Sequence, residues 1–301
     1  MSLADISLLA VTIFFSIYGL ACGIECGIAM RLLNSNTDRL RNLFTPFWEV
    51  TNVFLVFGFV SLIMLFNGAL QQLSTALLST LAVAFFALLT RSCTVLTLFY
   101  LQADRMSKIG VWLFALTSFA VPLTFTSSGV YLLTGKYFWL SLSGWLLMAA
   151  ATLGMIAIGK LFISGTPNPK RLLSDELFFA AWLMVLGSFV PLALLHSGGH
   201  FQKWPIAALD LLSIYGLLVT YLVIIGRTKF KLKYYAGMMA LVTPLLLVWA
   251  NRPFLVAGQI KIDDAFGASS YAGALLVGSA IILPIVSLGI WLFIKLIRTP
   301  S

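Results

Sequence analysis

Residues 6–31 read ISLLAVTIFFSIYGLACGIECGIAMR, and this stretch decides the class of fold. It contains one acid, Glu25, and no base before the closing Arg31. About 20 apolar residues are enough for a helix to cross the hydrocarbon of a bilayer. Because lipid offers no hydrogen-bond partners, a helix is the form that satisfies the backbone groups of such a stretch internally. We therefore predict a transmembrane helix over residues 6–31, retained in the mature chain because no basic region precedes it.

Similar apolar stretches recur along the whole chain. Its 301 residues are 60% hydrophobic and 10% charged, whereas a soluble domain carries about 25% charged residues. We predict an all-α polytopic membrane protein whose residues 1–301 form a single integral membrane domain. The nine predicted spans are 6–31, 47–67, 72–100, 109–133, 137–162, 176–196, 205–226, 234–256 and 273–295.

The basic residues predict the orientation of these spans. Of the 19 Lys and Arg residues, 14 lie in loops or at span ends on one side, four lie in loops or at span ends on the other, and Arg91 lies well within the third span. Cytoplasmic loops carry the excess of Lys and Arg, so the side with 14 is predicted to face the cytoplasm. The N-terminus is then outside and the C-terminus inside, as an odd number of spans requires. The net charge of +9 fits contact with anionic lipid headgroups, and we predict no nucleic-acid partner.

Four ionisable residues stand out in or beside the spans: Glu25, Glu49, Arg91 and Asp210. A charged group costs about 2.5–3.5 kcal/mol at membrane depth on insertion scales, and such groups mark proton relays and other functional sites. Glu25, Glu49 and Arg91 are predicted to lie at a similar depth on the cytoplasmic side. They indicate either a proton path or an arginine that pairs with one of the two acids and holds three helices together. Asp210 is predicted at the outer, solvated end of its helix.

Glycines recur every four residues in the first span, at Gly19, Gly23 and Gly27. This spacing is typical of a helix that another backbone approaches closely, so we interpret it as a packing face. Glu25 is two residues from both Gly23 and Gly27 and is predicted on a different face. That face also holds Tyr18, Cys22 and Ala29.

The sequence predicts no metal, cofactor or catalytic site within this chain. Cys22, Cys26 and Cys93 lie in apolar stretches and are interpreted as core residues, although the spacing of Cys22 and Cys26 leaves a metal site as the alternative. His196 and His200 share one outer loop, so they cannot ligate several haems across a bilayer. Phosphate-binding, dinucleotide-binding, hydrolase and zinc-protease motifs do not occur.

Three stretches in the first 105 residues resemble subunit II of cytochrome bd-type quinol oxidases. Residues 46–56 read PFWEVTNVFLV, similar to the family pattern P-x-W-D/E-x-x-x-V-W-L at the start of the second helix. Residues 23–30 read GIECGIAM, similar to G-F-D-x-G-V-G-M. Residues 88–91 read LLTR, similar to the family's arginine near the cytoplasmic end of the third helix. The sequence of residues 48–56, WEVTNVFLV, resembles in particular the divergent bd-like oxidases of Gram-positive bacteria.

The resemblance implies a fold and a role in the bacterial cell membrane. The family subunit has nine helices in two four-helix bundles plus one peripheral helix. It pairs with a haem-bearing subunit I, sometimes with a small single-helix subunit, and the complex oxidises quinol and reduces dioxygen to water. The quinol implied by the Gram-positive motif is menaquinol. Carried over by motif, the residues of a cytoplasmic proton path are Glu49, Glu25, Arg91, Thr51 and Asn52.

The sequence departs from the family pattern at several of these positions. Glu25 and Glu49 stand where aspartate is common, so each acidic arm is one methylene longer. Cys22 stands where the family has a further acid, and residues 92–95 contain no acid after Arg91. These departures imply a rewired or weaker proton route.

We therefore predict a haem-free, structural and proton-conducting subunit of a terminal quinol oxidase, with no active site of its own. A small-solute transporter is the first alternative, although no related halves are visible in the sequence. The second is an assembly or anchoring protein with no transport role.

Overall fold

The computed structural model describes residues 2–34, 38–100, 108–163, 169–198, 201–225, 232–267, 272–278, 280–281 and 284. Within these residues the chain folds into eight long helices, which are α1 (Leu3–Asn34), α2 (Asp38–Leu65), α3 (Leu70–Val95), α4 (Lys108–Thr134), α5 (Leu142–Ile163), α6 (Pro169–His196), α7 (Lys203–Ile224) and α8 (Leu232–Ala250). Short 3-10 turns, Asn67–Ala69 and Phe138–Leu140, precede α3 and α5. Five π-helical residues, Leu96–Tyr100, continue α3. Strands β1 (Phe254–Val256) and β2 (Ile260–Lys261) and a short helix α9 (Ile262–Ala265) follow α8.

The apolar helices agree with the predicted membrane spans. Six stretches of the described chain are long and apolar enough to cross a bilayer: Leu3–Leu33, Asn67–Leu98, Ile109–Thr134, Leu142–Phe162, Ser174–His196 and Lys203–Ile224. Thr51–Leu65 and Tyr235–Ala250 are shorter apolar helices. These eight lie where the first eight spans were predicted, so the polytopic helical fold is confirmed. The ninth predicted span, 273–295, lies mostly outside the described residues.

Two helices begin seven or more residues before the predicted starts of their spans. α2 begins at Asp38 and α6 at Pro169, compared with predicted starts at residues 47 and 176. Helical hydrogen bonding can begin in the mixed polar and apolar segment before a span, whereas a hydropathy pattern detects only the part that favours lipid. The two helices therefore extend beyond their predicted spans.

The prediction that the eighth span continues to residue 256 is wrong. α8 ends at Ala250, and Phe254–Val256 instead pairs antiparallel with Ile260–Lys261. Leu255 and Val256 are buried within the protein, so their apolar character reflects packing and not contact with lipid. A short apolar run does not by itself distinguish a strand from a helical end.

Polar contacts hold this hairpin against the helices. The Asn251 side-chain amide donates hydrogen bonds to the carbonyls of Leu132, at 3.3 Å, and Phe254, at 3.0 Å. The neighbouring Arg252 donates to the Asp5 carboxylate at 2.6 Å, and its guanidinium lies 4.5 Å from the centre of the Trp249 ring. The turn after α8 thus connects the beginning of α1 to the end of α4.

α1 is the central helix of the described bundle and packs against α2, α4, α5 and α8. Helix α5 approaches it closely at Gly159, where an added Cβ would lie 2.7 Å from the Gly23 carbonyl oxygen and 2.7 Å from the Gly27 nitrogen. The predicted packing role of Gly23 and Gly27 is confirmed. Gly19 differs, because a Cβ there would meet nothing within 4 Å.

Candidate functional site: a buried acid–arginine pair

The side chains of Glu25 on α1 and Arg91 on α3 form a buried ion pair. Arg91 Nη2 donates a hydrogen bond to Glu25 Oε2. The Arg91 side chain is 1% exposed and the Glu25 side chain 0%. Sequence reasoning left open which acid Arg91 contacts, and the structure brings it to Glu25. The pair is neutral as a whole, which is how two charges can be tolerated away from water.

The pair is incompletely hydrogen-bonded. Glu25 Oε1 and Arg91 Nε are both buried, and neither has a hydrogen-bond partner among the described residues. A buried carboxylate accepts through both oxygens and a guanidinium has five N–H donors, so each group retains hydrogen-bonding capacity. The site therefore has unused hydrogen-bonding groups, in contrast to the apolar helix contacts around it.

A stripe of polar and soft side chains lines α1 beside this pair. Tyr18, Cys22 and Cys26 are spaced four residues apart and are buried, and residues at this spacing share one helix face. The Tyr18 hydroxyl and the Cys22 thiol are close enough to the Arg91 guanidinium to interact with it electrostatically. The predicted grouping of Tyr18 and Cys22 with Glu25 thus places them beside Arg91.

Helix α4 supplies a contact that sequence reasoning missed. Pro122 has no N–H, so the carbonyl of Ser118, four residues earlier, has no helical donor. Cys26 Sγ donates to this carbonyl at 3.1 Å. The signal in the sequence was Pro122 inside an apolar span. A proline there leaves the backbone carbonyl four residues earlier, that of Ser118, free to accept a hydrogen bond from another helix.

The helix that carries Arg91 changes geometry one turn later. The Thr94 hydroxyl donates to the Arg91 carbonyl at 2.8 Å, and the π-helical segment Leu96–Tyr100 begins two residues after Thr94. π-Helical turns are rare and frequently occur at functional sites. This local widening of α3 lies on the side of Arg91 that leads to the predicted cytoplasmic loop.

The remaining predicted path residues lie on α2. The backbone of Glu49 is helical, and its side chain lies outside the described part of the structure. Thr51 is buried and Asn52 is half-buried. The structure therefore brings Glu25 and Arg91 together, while the participation of Glu49, Thr51 and Asn52 stays a prediction.

The other candidate residues are peripheral or packed in the core. Asp210 and His196 are exposed, and His200 lies outside the described residues. Cys22 and Cys26 are buried free thiols, and Cys93 is exposed. Within the described residues, no three His, Cys, Asp or Glu side chains are grouped so that they could hold a metal ion.

Comparison with known proteins places the chain in a family. Residues 3–297 match the family described as cytochrome bd terminal oxidase subunit II. The fold is similar to a chain in the structure of bd oxidase from Geobacillus thermodenitrificans, with a TM-score of 0.75 and 16% sequence identity over 100% of both chains. No curated protein sequence matches. The chain belongs to the cytochrome bd terminal oxidase subunit II family.

Proposed function

We propose that this chain is the haem-free second subunit of a bacterial quinol:dioxygen oxidase, and that it provides a cytoplasmic proton uptake route. It crosses the cell membrane nine times, with its N-terminus outside and its C-terminus inside, in two four-helix bundles plus one peripheral helix. It supports a haem-bearing subunit I, where quinol is oxidised and dioxygen is reduced to water. The observation that carries the proposal is the buried Glu25–Arg91 pair in a chain of this family.

The haems are assigned to the partner, and the surroundings of His196 and Cys26 in this chain agree with that assignment. Haem iron is held by axial His, Cys, Met or Tyr side chains within a shielded pocket. His196 is exposed at the end of α6, and the buried thiol of Cys26 already donates a hydrogen bond to the Ser118 carbonyl. No step of the proposed route therefore depends on a cofactor held by this chain.

The proton route begins at Glu49, which takes a proton from the cytoplasm. Thr51 and Asn52 continue the polar track along α2 toward the Glu25–Arg91 pair. When a proton reaches Glu25, the pair carries one positive charge, because Arg91 remains protonated. An uncompensated charge is costly in a buried site, so the proton moves on toward the partner subunit and the neutral pair is restored. Arg91 in this way limits how long Glu25 holds a proton.

The test is oxygen consumption by the whole oxidase carrying Glu49→Gln. Glutamine has nearly the shape of glutamate, but its amide does not take up and release a proton near neutral pH. Quinol-driven turnover is therefore expected to fall while the haem spectrum stays unchanged. Asp210→Asn is the matched control, because Asp210 is exposed and lies outside the route. Unchanged turnover in Glu49→Gln would contradict the proposed route.

Purification in mild detergent tests the complex itself. A stoichiometric membrane partner with haem absorption bands is expected to accompany this chain. A lone chain without haem absorption that is stable as a monomer would instead favour a small-solute transporter.

A further inference from the structure

In the part of the chain that the structure describes, four buried side-chain atoms around the candidate site have no hydrogen-bond partner: Tyr18 Oη, Glu25 Oε1, Arg91 Nε and Ser118 Oγ. The four residues come from three helices, and none is more than 3% exposed. Buried polar groups in proteins are almost always satisfied by protein atoms or by ordered water. An internal water molecule typically makes about three hydrogen bonds to polar groups of this kind.

The four residues belong to one neighbourhood. Glu25 and Arg91 form the ion pair, and the Tyr18 hydroxyl lies in electrostatic range of Arg91. Ser118 is connected through its carbonyl, which accepts the hydrogen bond from Cys26, the residue next to Glu25. These four residues are therefore linked by contacts among α1, α3 and α4.

Two contacts between α1 and α4 define the relative depths of these residues. The Tyr18 ring packs edge-on against Phe125 at 5.5 Å between centres, and Cys26 contacts Ser118. The two helices thus run antiparallel, and Ser118 lies at the depth of Cys26 and Glu25. Tyr18 is seven residues from Glu25, which corresponds to about 10 Å along the helix axis.

We propose that water molecules bound between α1, α3 and α4 connect Glu25 to the hydroxyl groups of Tyr18 and Ser118, so that these two residues extend the proton route. The inference rests on the proposed proton uptake function and adds α4 to it. The route then follows the interior of the described bundle, beyond the acid and arginine positions that the family motifs identify.

Transfer along this route needs no co-reactant. A water molecule or hydroxyl accepts a proton on its oxygen lone pair and releases a different proton to the next oxygen. One O–H bond forms and one breaks at each oxygen, and each group ends with the same number of protons. Tyr18 and Ser118 are suited to this exchange because a hydroxyl both donates and accepts.

The experiment compares Tyr18→Phe and Ser118→Ala in the complete oxidase. Each substitution removes one hydroxyl and almost no volume. Quinol-driven oxygen consumption is expected to fall several-fold in each variant, with an altered solvent deuterium isotope effect and an unchanged haem spectrum. High-resolution density for the unsubstituted complex is expected to contain ordered water within hydrogen-bonding distance of Tyr18 Oη and Ser118 Oγ.

Thr117→Val is the matched control for Ser118→Ala. Thr117 is also buried on α4, but its hydroxyl already donates to the carbonyls of its own helix at Leu113, 2.8 Å, and Phe114, 3.1 Å. Its loss is expected to leave turnover unchanged. Equal loss of turnover in Thr117→Val and Ser118→Ala would attribute the effect to packing and overturn the inference.

The outcomes separate this inference from the function on which it rests. If Glu49→Gln and Glu25→Gln reduce turnover while Tyr18→Phe and Ser118→Ala do not, the proton uptake function stands and the extension is wrong. If none of the four reduces turnover, the proton uptake function itself fails. A site without ordered water in the density would also overturn the inference.

Discussion

Arg91 on α3 donates a hydrogen bond to the carboxylate of Glu25 on α1, although 66 residues separate them in the chain. Both side chains are buried, so each charge depends on the other for compensation. Removing one partner of a buried pair costs about 3–5 kcal/mol, whereas replacing both by apolar residues of similar volume is often neutral or stabilising. This difference separates the structural contribution of the pair from its contribution to proton transfer.

Glu25→Leu alone is expected to lower the free energy of unfolding by about 3–5 kcal/mol, because it leaves the Arg91 charge buried without a partner. Glu25→Leu combined with Arg91→Met is expected to recover most of that stability. Thermal unfolding of the purified complex measures both effects. Oxygen consumption of the double variant is expected to stay low, since no acid remains at this position. Full turnover in a stable double variant would show that the pair is structural only.

Gly159→Ala is expected to destabilise the contact between α1 and α5. The new Cβ would lie 2.7 Å from the Gly23 carbonyl oxygen and 2.7 Å from the Gly27 nitrogen, both of them backbone atoms. Overpacking of this kind typically costs about 1–3 kcal/mol. Gly129→Ala on α4 is the control, because its Cβ would meet nothing within 4 Å. Equal stability of the two variants in thermal unfolding would contradict the close approach.

Asn251→Ala is expected to loosen the hairpin after α8. The variant removes the side-chain hydrogen bonds to the carbonyls of Leu132 and Phe254, and a hydrogen bond of this kind contributes about 0.5–1.5 kcal/mol. Gln259→Ala removes a hydrogen bond to Gly135 at an exposed position and is expected to cost less. Proteolysis within residues 251–267 measures the difference. Greater cleavage of the Gln259 variant would argue against Asn251 as the anchor.

The proposed orientation predicts which engineered cysteines react in intact cells. Lys136 and Ser174 are both exposed and lie at opposite ends of the helical bundle. In a Cys93→Ala background, Lys136→Cys is expected to react with a membrane-impermeant thiol reagent added outside. Ser174→Cys is expected to react only after the membrane is opened, while Cys22 and Cys26 stay protected by burial. Labelling of Ser174→Cys in sealed cells would contradict the proposed orientation and indicate the opposite one.

Sequence reasoning identified most of the helices because the transfer of apolar residues into lipid is nearly additive along a helix. It failed at residues 251–256, where Leu255 and Val256 are apolar because protein covers them. It also missed Ser118, because the importance of that residue arises from Pro122 in its own helix and Cys26 in another.

The sequence by itself determined that this chain is a polytopic membrane protein of the bd oxidase subunit II family and that Glu25 and Arg91 lie within its spans. These properties depend on local hydropathy and short motifs. Only the tertiary structure decided that Arg91 pairs with Glu25, that Gly159 lies against Gly23, and that the Ser118 carbonyl accepts a hydrogen bond from Cys26. Such contacts join residues far apart in sequence, and they depend on how the helices pack around α1, which no local pattern specifies.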